Sequence, residues 1–148
     1  YYENGQLQSV GLLKDVQMEG EWKFYFESGE LESAGYYISG EKEGDWKSYH
    51  ANGNLKSKSV YKNGRPEGEW KEYYENGQIE RVYSYENNQI NRDVKFFSVD
   101  GKSLTRIAPS ETAYLQNTEK AVWRYYDEEG HFVKSEPFTV KDFVESKK

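Results

Sequence analysis

Catalysis needs unlike polar groups drawn into one cleft, and the residues able to supply them are few here. The 148-residue chain holds two histidines, His50 and His131, and no cysteine. Neither histidine has a partner at the spacing zinc sites use, and without cysteine there is neither a thiolate ligand set nor a disulfide framework. Gly101-Lys102-Ser103 resembles the end of a phosphate-binding loop, but Phe96 stands where the leading glycine is required. Asp127-Glu128-Glu129-Gly130 is acidic with a glycine, yet lacks the alternating ligands of a calcium loop. With 26 carboxylates, acid pairs at glycosidase-like separations arise by accident. The reading of these residues is therefore not an enzyme, with no catalytic residue, no cofactor and no metal site. His50 and His131 are expected to be surface or packing side chains.

Charge narrows the partners. Net charge is −6, which argues against nucleic acid and against an anionic bilayer as the main partner. Lys56, Lys58, Lys62, Arg65 and Lys71 form a basic stretch, but Glu67, Glu69, Glu72 and Glu75 interrupt or follow it, as on a solvated mixed face. No apolar run approaches the roughly 20 residues that cross a membrane as a helix. The first residue is Tyr1 and not Met, consistent with removal of an upstream segment by processing or by design. The compartment stays open between the cytoplasm and, after loss of a leader, the cell envelope or exterior.

The elements that must position these residues are set by a repeat. Gly-Glu-Trp at 20–22, Gly-Asp-Trp at 44–46 and Gly-Glu-Trp at 68–70 recur every 24 residues; the next step reaches Val94, and a fifth copy centres on Trp123, displaced by five. Seven residues after each of these positions comes a glycine, at Gly29, Gly53, Gly77, Gly101 and Gly130, with Gly5 one copy earlier. A third register joins Gly40 and Gly64 and continues at Asn88. Three registers that hold together mark an internal repeat.

Each unit reads as two strands and two turns. WKEYY at 70–74 is rich in strand-favouring residues and runs into Glu75-Asn76-Gly77, a hairpin signal. A second strand covers about 79–85, and a longer turn, best seen at 63–68, leads to the next Trp. Connections this short exclude parallel crossovers. The expected fold is all-β: an elongated single-layer antiparallel meander of roughly eleven strands, about 50 Å long at the usual strand spacing. Regular repeats are expected over 1–104, an irregular insertion over 105–121, a last hairpin over 122–140 and a tail over 141–148, with a short helix conceivable only near 141–146.

Period-two alternation assigns the faces. Trp22, Trp46, Trp70 and Trp123 are the structural ring positions, with Gly20, Gly44 and Gly68 expected to leave room for an indole from a neighbouring strand. The opposite face carries an acid before each Trp, Lys23, Lys47 and Lys71 after it, and Tyr25, Tyr49, Tyr73, Phe97 and Tyr126 beyond. These columns of lysine and ring are the candidate contact surface. Aromatics number 25 in a chain only 35% hydrophobic, and such rings can cover a thin sheet. Trp46, mid-array, is expected to matter more for stability than Trp123.

The pattern Y-E-N-G-[QE]-[LI], Y-K-N-G, E-G-[ED]-W-K resembles the MORN repeat (membrane occupation and recognition nexus). It is closest to the bacterial variant found in proteins regarded as antitoxins of toxin–antitoxin pairs. The resemblance covers residues 1–104 and returns at 122–140, departing where Arg92 and Val94 replace Gly and Trp. It implies an elongated antiparallel sheet used as a protein-binding scaffold, in some members for dimerisation or phospholipid contact. Plant lipid kinases carry such repeats beside a kinase domain, but this chain has no Gly-rich loop, catalytic-loop Asp-Asn set or Asp-Phe-Gly. The expected partner is a protein, with a homodimer as a further option, phospholipid less favoured and nucleic acid not expected. Self-association, where it occurs, is expected through the N-terminal edge or through an aromatic face near it, because Tyr1-Tyr2 matches Tyr73-Tyr74 and the Trp-bearing start of the unit is missing; Pro137 suits the other edge.

Overall fold

The computed structural model describes residues 1–91, 93–109 and 121–138. Its strands are β1 (Ser9–Lys14), β2 (Gln17–Tyr25), β3 (Leu31–Ile38), β4 (Glu41–Tyr49), β5 (Leu55–Lys62), β6 (Arg65–Tyr73), β7 (Ile79–Glu86), β8 (Gln89–Ile90), β9 (Val94–Phe97), β10 (Leu104–Ala108), β11 (Val122–Tyr126) and β12 (Phe132–Pro137). All twelve join one antiparallel sheet in chain order, with only the two-residue β8 lying off the path against β7. The sheet is an open meander, and the described residues include no helix. Residues 105–108 of the expected 105–121 insertion lie in β10, which pairs with both β9 and β11. Residues 110–120 and the tail over 141–148 lie outside the described residues.

The two kinds of turn are the reverse of the sequence expectation. Strands β5 and β6 are joined by Asn63-Gly64 alone, both at positive φ (49° and 72°), and Ser39-Gly40 does the same between β3 and β4. Two consecutive positive φ angles define the type I′ turn whose twist matches the strands it joins. The expected long turn at 63–68 is thus a tight one, and 65–68 already belong to β6. The Asn-Gly at 76–77 sits instead in a five-residue loop closed by Tyr74 N–H donating to Gln78 O (2.9 Å). Its tip is tied to the next one. Asn76 Nδ2 donates to Val99 O (2.7 Å), as Asn4 does to Glu27 O and Asn52 to Glu75 O (3.0 Å each).

The glycine before each Trp works differently from the expectation. Between β3 and β4 the register jumps from Ala34↔Lys47 to Tyr36↔Glu43, so that Gly44-Asp45-Trp46 oppose Gly35 alone. The same bulge sets Gly20-Glu21-Trp22 against Gly11 and Gly68-Glu69-Trp70 against Ser59. Gly20, Gly44 and Gly68 start these bulges at positive φ, a role glycine takes at low cost. The room for the indole is made by Gly11 and Gly35 on the preceding strand, where a Cβ would collide with the Trp22 and Trp46 rings. Each indole leans back across the bulge and donates its N–H to that strand. Trp22 bonds Leu12 O at 3.1 Å, Trp46 bonds Tyr36 O at 3.2 Å and Trp70 bonds Val60 O at 3.3 Å.

Among the described residues a conventional core exists only toward the C-terminal end. Ile90, Val94, Ala108, Ala121, Trp123 and Phe138 pack together as one buried cluster, flanked by Tyr83, Tyr85, Phe96 and Tyr125. Trp123 is therefore no peripheral ring. With Val94 too small to roof its unit, Trp123 from the displaced copy closes over it, against Phe96 (5.8 Å) and Phe138 (5.3 Å).

Candidate interaction surface

The tryptophan face carries an unbroken chain of rings. Centroid distances run Trp22–Tyr37 6.4 Å, Tyr37–Trp46 5.1 Å, Trp46–Tyr61 6.3 Å, Tyr61–Trp70 5.3 Å and Trp70–Tyr85 5.2 Å, edge-on throughout. That geometry sets the positive ring edge against the negative ring face. Tyr37, Tyr61 and Tyr85 were not singled out from the sequence, although they recur every 24 residues, after Leu13 in the first unit. Burial raises the phenol pKa of Tyr37 and Tyr61. Trp22 and Trp46 are buried while Tyr37, Tyr61, Trp70 and Tyr85 stay partly open. No second layer covers this face among the described residues.

The columns predicted on the opposite side are placed differently. Tyr25, Tyr49, Tyr73, Phe97 and Tyr126 are the last residues of β2, β4, β6, β9 and β11. Among the described residues no ring contact links Tyr25, Tyr49 and Tyr73, and only Tyr126 meets a ring, that of Phe132 at 6.1 Å. Their carbonyls have the clearer role: Tyr25 O, Tyr73 O and Phe97 O accept from Tyr2 Oη (2.7 Å), His50 Nε2 (2.8 Å) and Tyr74 Oη (2.9 Å). His50 thus stands in for a tyrosine, and because a carbonyl only accepts, its proton sits on Nε2. Lys23 pairs with Glu21 at 3.5 Å and Lys71 with Glu69 at 2.6 Å, which raises the Lys71 pKa; Lys47 makes no ion pair among the described residues. Two of the three lysines are accordingly neutralised by their own strand.

Two clusters of titratable groups remain. Glu72 accepts from Arg81 Nε and from Tyr83 Oη, each at 2.5 Å, and burial, reinforced by the Glu72 charge, raises the Tyr83 pKa well above its ordinary value. The carboxylate is committed to bracing β6 against β7. At the last hairpin tip, ligand atoms of Asp127, Glu129 and His131 lie within 4.8 Å of one another, all exposed. His131 therefore does have neighbours at ligand distance, brought by the turn and not by sequence spacing. Asp127 also accepts from the Glu129 and His131 amides, which lower its pKa, and this is the work of a turn residue.

A family model described as a MORN repeat variant matches residues 1–15, 18–39, 42–63 and 66–87. No curated protein matches the chain.

Proposed function

The chain belongs to the MORN repeat-variant family, whose members are non-catalytic interaction or membrane-associated modules, and on that premise we propose that it is a protein-binding scaffold whose contact surface is the tryptophan face. The observation that supports this reading is the ring chain from Trp22 to Tyr85, which lies partly open and uncovered among the described residues. Tyr and Trp are the residues most favoured at protein interfaces, since they present large apolar area at low entropic cost. A toxin is one partner class that the resemblance to antitoxins suggests. The phospholipid reading draws on Lys56, Lys58, Lys62, Arg65 and Lys71; Lys71 is paired with Glu69, and the net charge of −6 opposes an anionic surface.

The test places an aromatic photo-crosslinking residue at Tyr37, in the ring chain of the tryptophan face, or at Lys23, on the other. A single partner captured from the host at Tyr37, not at Lys23, and retained as salt is raised supports the reading. Equal capture at both positions, or co-sedimentation with phosphatidylserine vesicles that salt abolishes, overturns it.

A further inference from the structure

The ring layer has one gap. The position two residues after Trp22, Trp46, Trp70 and the Val94 that replaces Trp holds Phe24, Ser48, Glu72 and Phe96 in successive units. Phe24 stacks on Trp22 at 6.0 Å and reaches Trp46 at 6.3 Å, Phe96 lies within the cluster around Trp123, and Glu72 is occupied by Arg81 and Tyr83. Ser48 alone leaves its place unfilled, its hydroxyl bonded across the strands to Ser57 Oγ at 2.7 Å. The result is a depression of about 280 Å³ lined by Lys42, Trp46, Ser48, Ser57, Tyr61 and Trp70, in which Lys47 and Lys56 outnumber the one further charged group, Glu32.

Lys42 is equally particular to this unit, since the same position elsewhere is Met18, Pro66 and Ile90. Its ammonium lies 4.2 Å from the Trp46 ring centre and 5.0 Å from that of Tyr61. It has no carboxylate partner among the described residues, and burial lowers its pKa. Residues 42–65 carry six Lys and Arg against two Asp and Glu, in a chain whose net charge is −6. A partly desolvated cation without a counter-ion, in the most basic part of an acidic chain, attracts an anion more strongly than an exposed lysine does.

We propose that this gap receives an acidic side chain and an adjacent aromatic residue from the protein partner. The aromatic ring takes the place that Phe24 fills one unit earlier, and the carboxylate meets the Lys42 ammonium above Trp46 and Tyr61. The proposal rests on the tryptophan face being the contact surface.

Three blocked dipeptides serve as probes in NMR titrations of the full chain: acetyl-Phe-Glu-amide, acetyl-Phe-Gln-amide and acetyl-Ala-Glu-amide. The expected result is weak binding of the first, on the order of 1 mM for so small a ligand, with shifts centred on the Trp46 and Trp70 indole N–H signals. A charge-assisted contact should favour Phe-Glu over Phe-Gln by about fivefold, and Ala-Glu should bind more weakly than Phe-Glu. Lys42→Met and Ser48→Phe introduce residues the chain already uses at the same repeat positions, so both variants should keep the fold, as circular dichroism would verify. Lys42→Met should remove the preference for Glu over Gln, and Ser48→Phe should abolish binding. A preference that survives Lys42→Met, or binding undiminished by Ser48→Phe, overturns the proposal. Equal binding of Phe-Glu and Phe-Gln at Trp46 overturns the pocket while leaving the contact face standing. If no probe moves an indole signal and cross-linking at Tyr37 is silent, the contact face fails with it.

Discussion

Replacing Gly35 by alanine separates the two roles that glycine plays in this sheet. A methyl at that site would stand 2.5 Å from Trp46 Cγ and nearer still to Cδ2 and Cε2. Carbon atoms in contact settle at about 3.5–4.0 Å, so the indole must retreat by roughly 1 Å. Trp46 is 4% exposed and hemmed in by Tyr37, Tyr61 and Phe24. Overpacking of this kind costs about 1–3 kcal/mol. The Trp46 N–H bond to Tyr36 O, already 3.2 Å long, would be stretched at a further cost of up to about 1 kcal/mol. Against this, removing glycine from the unfolded chain gains about 0.4–1 kcal/mol, since Gly35 does not sit at positive φ. The net expectation is a loss of about 1–3 kcal/mol in a urea titration followed by far-UV circular dichroism. In a Trp46→Ala background the obstacle is gone, and Gly35→Ala should be neutral or slightly stabilising. Gly44→Ala is the control: a Cβ there meets nothing within 4 Å, but φ is +66°, so it should cost about 1–2 kcal/mol of backbone strain whether or not Trp46 is present. The third unit supports the reasoning, because Ser59 stands beneath Trp70, whose N–H bond is the longest of the three and whose ring is less buried. Equal losses for Gly35→Ala in both backgrounds, with a coupling energy below about 0.5 kcal/mol, would refute the account.

Trp123→Ala should destabilise at least as much as Trp46→Ala, each by about 3–5 kcal/mol, because Trp123 sits in the one buried apolar cluster among the described residues; a Trp46 loss larger by more than about 1 kcal/mol would restore the mid-array expectation. Tyr83 has its pKa raised in the folded state, so the stability it contributes is complete below about pH 10, the ordinary tyrosine value, and is lost as pH climbs above that toward the folded value. Urea midpoints at pH 9 and pH 11 should therefore fall less steeply for Tyr83→Phe than for the parent chain, and identical slopes would contradict it. Self-association of the 148-residue chain, if carried by the open side of β1, should be abolished by Ser9→Pro: Gln8 O accepts from Tyr25 N–H, so alternation turns the Ser9 amide outward. A dimer in sedimentation that persists in this variant would exclude that edge.

The sequence by itself determined the 24-residue period, the antiparallel order of the strands and the side to which each Trp belongs, because those follow from register and alternation alone. The place His50 shares with Tyr74 was also legible, and its bond to Tyr73 O is the counterpart of the one from Tyr74 to Phe97 O. What it did not determine was which glycine made room for which ring. Gly20, Gly44 and Gly68 precede the Trp on its own strand, whereas Gly11 and Gly35 oppose it across a bulge. A bulge shifts cross-strand pairing without altering spacing along the chain, so the period showed no trace of it. The same blindness concealed the ring chain. Tyr25, Tyr49 and Tyr73 follow the Trp closely in sequence, but the ring chain is completed by Tyr37, Tyr61 and Tyr85 from the adjoining strands, fifteen residues after each Trp. The partnership of Lys42 with the empty place at Ser48 is likewise a product of packing, because two rows of the repeat meet only when neighbouring strands lie side by side. Local turn chemistry and periodicity are written along one chain direction. The tryptophan face is written across it, and only the paired sheet brings those residues together.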